Sequence, residues 1–382
     1  MSTWNEIQQT SIDLHRKNKG VIQMQPKVSV ENRADLTLVY TPGVGAVSSL
    51  IAEHPEQADE LTWRKNTVAV ISDGSAVLGL GNIGPAAALP VMEGKCAIFK
   101  RFAGIDAVPL VLNTQDTEEL IKICVALAPS FGALQFEDIS APRCFEIERR
   151  VQEALDIPVM HDDQHGTAIV SLAALLNATK VVRKQLKECR VILNGAGAAG
   201  TAIAKLLNVY GVKQLIAVDR TGAIFAGRGD LNPEKQALAE ITNKERRSGS
   251  LLDVAKDADI LIGISAAGAF SPEVVKVMAK DPIVIALANP VPEILPDVAK
   301  EVGVAVLATG RSDFANQVNN ALCYPGLFRG MLDHDVKKVT DEIKLRAAQA
   351  IASMVLNPTA DNIIPTMFDE GLMETVAKSV VG

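Results

Sequence analysis

Arg190-Val-Ile-Leu-Asn-Gly-Ala-Gly-Ala-Ala-Gly200 is the stretch whose reading decides the fold. An apolar run short enough for a buried strand leads into three glycines in G-x-G-x-x-G spacing, and Thr201 to Asn208 continues as a helix. In that context Gly195 permits the tight turn, Gly197 lets a pyrophosphate approach the backbone, and Gly200 lets helix lie on strand. Ala196, Ala198 and Ala199 complete a loop whose free N–H groups, at a helix start, face the anion. A second strand ends at Val218-Asp219, the distance expected of an acid that bonds ribose hydroxyls. The unit reads as a dinucleotide site. Asp219 favours NAD, because its charge repels a 2′-phosphate; Arg220 beside it could instead bind that phosphate, so NADP stays open.

Working outward, strands at 190–193, 214–218, 259–262, 283–287 and 304–307 alternate with helical stretches, which predicts a parallel sheet covered on both faces. Upstream, Thr67 to Ser72 and Val108 to Leu112 read as strands, Asp116 to Ala128 and Pro142 to Leu155 as helices. Residues 4 to 19 open the chain as a helix, and Thr167 to Lys184 is a long apolar helix suited to bridging two domains. From about Thr340 the chain reads as helix folding back on the first domain. With 382 residues, two domains are expected. The fold class is α/β: an α/β substrate domain over 1–160, then a Rossmann-type doubly wound domain with a C-terminal helical tail over 161–382.

Hydrophobic content of 48% and charged content of 22% are those of a soluble globular chain. A net charge of -7 with no basic block argues against nucleic-acid binding, but leaves an anionic small substrate possible. Five scattered cysteines without a C-x-x-C pair exclude a disulfide scaffold and a zinc ribbon and fit a reducing cytoplasm. Neither a signal pattern nor an uncharged stretch approaching bilayer length is expected.

Two acidic pairs carry the chemistry. Glu137-Asp138 ends the apolar run Phe131 to Phe136, and Asp162-Asp163 lies in Pro158-Val-Met-His-Asp-Asp-Gln-His-Gly-Thr-Ala168, ahead of an apolar helix. Carboxylates at strand ends face a cleft and could hold Mg²⁺ or Mn²⁺, although one or two could equally cap helices. His161 and His165 are at i, i+4, but the pattern is not H-E-x-x-H and Gly166 suggests a turn, so backbone or supporting contacts are expected of them rather than zinc. Tyr40 precedes Thr-Pro-Gly, a turn that could expose its phenol. Lys95 edges an apolar run where partial burial could lower its pKa. Asn289 follows the strand Ile283 to Leu287, at the sheet edge where ligands bind, and Asn319-Asn320 could be simply solvated. A second glycine match, Gly79-Leu-Gly-Asn-Ile-Gly84, lacks a βαβ context and reads as a turn.

Together, Tyr40-Thr-Pro-Gly-Val, Gly79 to Gly84, Glu93-Gly-Lys95, Phe136-Glu-Asp138, His161 to Ala168, Asn194 to Gly200, Ala288-Asn-Pro290 and Ser312 to Asn320 resemble malic enzyme in its short bacterial form. The resemblance covers about Gly20 to Asp369 and is specific because the segments keep the family's order. It implies Tyr40 as general acid and Lys95 as general base and substrate contact. It further implies Glu137, Asp138 and Asp163 as metal ligands with Asp162 beside them, Gly195 to Gly200 as the cofactor loop, and Asn289 and Asn320 as substrate contacts. It places Gly79 to Gly84 in the substrate domain. One departure stands out: long forms carry an arginine just before the Gly-Leu-Gly segment, and Gly74-Ser-Ala-Val-Leu-Gly79 has none, which leaves the carboxylate anchor open. Gln236 stands near where NADP-using animal forms place a lysine, which again leans to NAD. The implied activity is oxidative decarboxylation of L-malate to pyruvate and CO₂ by a cytoplasmic homodimer. Malolactic decarboxylation to lactate and a metal-independent hydroxy-acid dehydrogenase are the alternatives; a non-catalytic nucleotide sensor would need a damaged site.

Overall fold

The computed structural model describes residues 4–77 and 79–381. Two sheets share the chain. The first holds β1 (Thr67–Ser72), β2 (Asp106–Val111), β3 (Ala133–Phe136) and β4 (Val159–His161), all parallel, in the order β2-β1-β3-β4. β1, β3 and β4 are buried throughout, as continuous apolar strands covered on both faces should be. β2 is only half-buried, and its edge position tolerates Pro109.

The second sheet holds β5 (Arg190–Asn194), β6 (Gln214–Asp219), β7 (Gly222–Ala223), β8 (Ile260–Gly263), β9 (Ile283–Ala286) and β10 (Val306–Thr309). Its order, β10-β9-β8-β5-β6-β7, is that of a doubly wound sheet, with β7 a two-residue antiparallel edge. The strands expected from the sequence all form, within a residue or two.

Between the sheets runs the helix Asp162–Val181. Fourteen of its twenty residues are buried, which makes it a core helix apolar all round rather than a surface helix with one wet face. It begins at Asp162, not at the expected Thr167, so Gly166 lies inside a helix and not in a turn. The reason is steric: a Cβ at Gly166 would stand 1.9 Å from Asp162 Oδ1. Only glycine leaves that carboxylate its place.

The C-terminal region also differs from a single helix. It forms Asp341–Ser353 and Leu372–Lys378, and the intervening segment contains Pro358 and Pro365, neither of which can serve a helix interior. Buried Asn177 ties this tail down by donating to the carbonyls of Ala352 and Ile363. Phe368 meets Phe102 of the helix Pro85–Ala103 edge to face, so the tail does return to the first domain.

Before β1 the described residues form helices joined by loops, with no strand, and are largely uncovered. Ile7, Ile12 and Leu14 of the opening helix Trp4–Asn18 are about half exposed. Arg33–Glu53 is long and apolar enough to cross a bilayer by length and composition, but it carries Arg33, Asp35 and Glu53 and so is not an uncharged stretch; none of it is buried. It is two helices, Arg33–Val39 and Gly43–Glu53, broken at Thr41-Pro42, where the proline denies a continuous ladder of N–H donors.

Candidate active site

In each sheet the strand order reverses beside the first strand, and ligands of such sheets bind outside the carboxyl ends at those reversals. Here the carboxyl ends of both sheets open on one cleft with two adjoining cavities. One, about 630 Å³, is lined by the glycine loop Asn194 to Gly197, Asp219, Arg220, Lys235 and Ile264 to Ala266. The other, about 590 Å³, is lined by Lys95, Glu137, Asp138, Asp163, Asn289 and Asn320. Gly197, Ile264 and Ser265 belong to both. Gly79 also reaches the second cavity, where a Cβ would stand 2.0 Å from the carbonyl oxygen of Asn289. The glycine match at 79–84 is thus an exposed turn, as read, but its first glycine sits where the two halves of the cleft touch.

Lys95 is the centre of the second cavity. Its Nζ donates to Asp162 Oδ2 at 2.6 Å and to Asn320 Oδ1 at 3.1 Å, and lies 3.2 Å from Glu137 Oε1. Below it, the fully buried Tyr324 ring presents its face at 4.7 Å. Burial by itself would lower the lysine pKa, as the sequence suggested, but the carboxylates of Asp162 and Glu137 outweigh it and hold Lys95 well above its usual range. That expectation is corrected.

Glu137 and Asp138 follow β3, Asp162 is fully buried, and Asp163 accepts from the Asp138 N–H at 2.7 Å. Neither pair caps a helix: the helix Arg143–Ala154 has Pro142 as its N-cap and Asp162–Val181 has His161, without side-chain bonds. Burial pushes the Glu137 carboxyl up; Lys95 opposes this, while Asp162, Asp163 and Asp138 add to it. One oxygen of Asp162 has no hydrogen-bond partner. This surplus of buried negative charge, all from oxygen donors, suits a hard divalent cation. Among the described residues no three His, Cys, Asp or Glu side chains already converge as a metal cage, since Glu137 is turned to Lys95 and Gln135. His165 pairs with buried Glu148 at 3.0 Å, and the buried His161 ring lies 3.9 Å from Asp163, so the histidines back the acidic turn.

At the cofactor loop, Gly195 has φ +126°, and Gly200 lies so close to it that a Cβ would meet the Gly195 carbonyl oxygen at 1.9 Å. Asp219 has partners that the sequence did not show. Its Oδ2 accepts from Arg228 and from Lys235, the latter at 2.6 Å, and its Oδ1 from the Thr221 N–H and hydroxyl. Gln236 turns away to the Leu231 carbonyl.

Tyr40 is not brought to this cavity in its own chain; it caps the helix Arg33–Val39 and is 66% exposed. In the stretch Gly74 to Gly79, Ala76 lines the cavity, and the nearby Arg143 is taken up by Asp73 and Ser75. Sequence reasoning missed Tyr324, Arg228, Lys235 and Glu148. Tyr324 lies one helical turn after Asn320 and Lys235 adjoins Gln236, so both were within reach of a spacing argument.

The family profile for the malic enzyme N-terminal domain matches residues 18–152, and that for the malic enzyme NAD binding domain matches 164–380. The NAD-dependent malic enzyme of Geobacillus stearothermophilus is 56% identical, over 95% of this chain and 76% of its own length. A bifunctional malic/malolactic enzyme of Bacillus subtilis is 50% identical, over 98% and 92%. The crystal structure of the NAD-dependent malic enzyme of Thermotoga maritima superposes with a TM-score of 0.94 at 47% identity, covering 97% of this chain and 99% of that one. Two matched domains, a doubly wound NAD-binding half and a lysine set among carboxylates between them make this chain a member of the malic enzyme family.

Proposed function

We propose that this chain oxidatively decarboxylates L-malate to pyruvate and CO₂ with NAD or NADP as acceptor, NAD preferred. The carrying observation is Lys95, fixed by Asp162 and Asn320 in a cavity that shares Ser265 and Gly197 with the dinucleotide cavity. A bound cofactor supplies the hydride acceptor at that shared wall. Glu137, Asp138 and Asp163 would hold Mg²⁺ or Mn²⁺, which when bound supplies Lewis-acid polarisation of substrate oxygens and offsets the carboxylate field on Lys95.

The protein's own groups then divide the proton work. Lys95, as the neutral amine, takes the proton of the 2-hydroxyl, and Asp162 keeps the nitrogen aimed and accepts from the ammonium that results. The amides of Asn289 and Asn320 orient the substrate. Tyr40, exposed on an apolar helical face, serves as the acid in the cavity of a second copy of this chain, which covers that face in a cytoplasmic homodimer. The division into substrate and cofactor domains falls at about residue 160, ahead of the central helix.

The test is reduced-cofactor absorbance with purified protein, L-malate and Mn²⁺, NAD and NADP in parallel, with chelator controls. Chelator-sensitive reduction with pyruvate release is expected; no reduction with either cofactor would reject the reading. The Bacillus subtilis relative favours one second reading, release of lactate, which the same assay separates by product. Oxaloacetate decarboxylation is expected as a partial activity.

A further inference from the structure

Glu293 has no exposed surface and no part in the chemistry above. It follows β9 in the loop that contains Asn289. Its Oε1 accepts from the Ser265 N–H at 2.9 Å and its Oε2 from the Ala288 N–H at 3.0 Å. The same segment is stitched to the loop after β8 a second time, by the Phe270 N–H to the Glu293 carbonyl.

These bonds come where the sheet stops. β8 and β9 are neighbours, and their ladder ends with the Leu287 N–H on the Gly263 carbonyl. Beyond that, Ser265 and Ala288 have donors pointing at no strand, and one rigid carboxylate satisfies both. Burying a carboxylate is costly, and burial pushes the Glu293 carboxyl up despite the N–H donors that oppose it. The two loops it joins are the ones that matter. Ser265 lines both cavities, and Ala288 and Asn289 line the substrate cavity.

We infer that Glu293 is a positioning residue: its carboxylate clamps the loop after β8 to the loop after β9 and so fixes Asn289 against the cofactor end of the cleft. The inference rests on the malate-oxidising reading. A dinucleotide gripped at the glycine loop keeps its affinity without the clamp, whereas the alignment of substrate and hydride acceptor does not.

The test is Glu293→Gln in the full-length enzyme, which sets an amino group against one of the two N–H donors. NADH binding is followed by fluorescence titration, and kcat and the KM for malate are measured with Mn²⁺ beside wild type. Expected is an NADH dissociation constant within about twofold of wild type, with kcat down about tenfold to a hundredfold and a raised malate KM, the scale of a small misplacement. If the glutamine variant does not fold, Glu293→Asp, which keeps the charge and shortens the reach, is read on the same scales. Unchanged kcat and malate KM in a folded variant would overturn the inference, as would losses in NADH affinity and turnover of equal size, the mark of a merely structural role. A wild type unable to reduce NAD(P) with malate would overturn the reading itself and the inference with it.

Discussion

Lys95 Nζ lies 2.6 Å from Asp162 Oδ2, and the Asp162 carboxylate keeps its place only because residue 166 has no side chain. The proposed base is thus aimed by an acid that touches it, and the acid by a glycine one turn along the helix. Asp162→Asn is expected to lower kcat by about a hundredfold or more while leaving cofactor binding near wild type, because the loss falls on proton transfer. Gly166→Ala should cause a loss of the same kind. Either variant retaining wild-type kcat would refute the aiming role.

Tyr40 and Lys95 are assigned to different copies of the chain. Tyr40→Phe and Lys95→Ala should each be nearly inactive alone. Co-refolded in equal amounts, random pairing leaves one intact site in half the dimers, so about a quarter of wild-type activity should return. A mixture as inactive as its parents would place both groups in one chain's site.

The Tyr324 ring acts by its face and not by its hydroxyl, which only reaches the Lys95 carbonyl at 3.4 Å. Tyr324→Phe should keep kcat within about twofold, whereas Tyr324→Leu should lose about thirtyfold, since a buried cation–π contact contributes on the order of 2 kcal/mol. Equal effects of the two substitutions would remove the ring from the argument.

Lys235 lines the cofactor cavity while bonding Asp219. Its ammonium, like the Arg220 guanidinium in the same lining, is placed to offset a 2′-phosphate beside that acid. Lys235→Ala should shift the ratio of kcat/KM for NAD over NADP upward by about tenfold, the scale of one hydrogen bond to a charged group. The two cofactors assayed on one preparation decide it.

Burial pushes the Asp219 carboxyl up, but hydrogen bonds from Arg228, Lys235 and Thr221 hold it well below the usual range. A depressed acid contributes stability above its unfolded pKa and loses it as pH falls through the folded value. The stability gap between wild type and Asp219→Asn should therefore stay level from pH 8 to about 5 and close only below about pH 4. Denaturant midpoints that converge between pH 8 and 6 would contradict it.

Much of the cleft could be read from the chain because its parts are local. The glycine loop and the acidic pairs are runs of neighbouring residues at strand ends, and the apolar strands need only a short window. What escaped was long-range. Lys95 sits among residues 42 to 229 positions away, so its field could not be judged from a neighbourhood that promised only burial. The partners of Asp219 escaped for the same reason, since Arg228 and Lys235 reach it across a turn and a helix start. The helix start at Asp162 was hidden by Gly166, whose role inside the helix depends on a side chain that only the fold turns toward it.

Gly79 meets Asn289 through main-chain atoms alone. The spacing between the two halves of the cleft is therefore a stop of peptide against peptide, as hard as covalent geometry allows and indifferent to rotamers. Variation elsewhere can reshape the walls of the cavity, but its gauge is set by a residue that contributes nothing except the lack of an obstacle. Even a methyl group there would act as a wedge, holding hydride donor and acceptor apart without touching either.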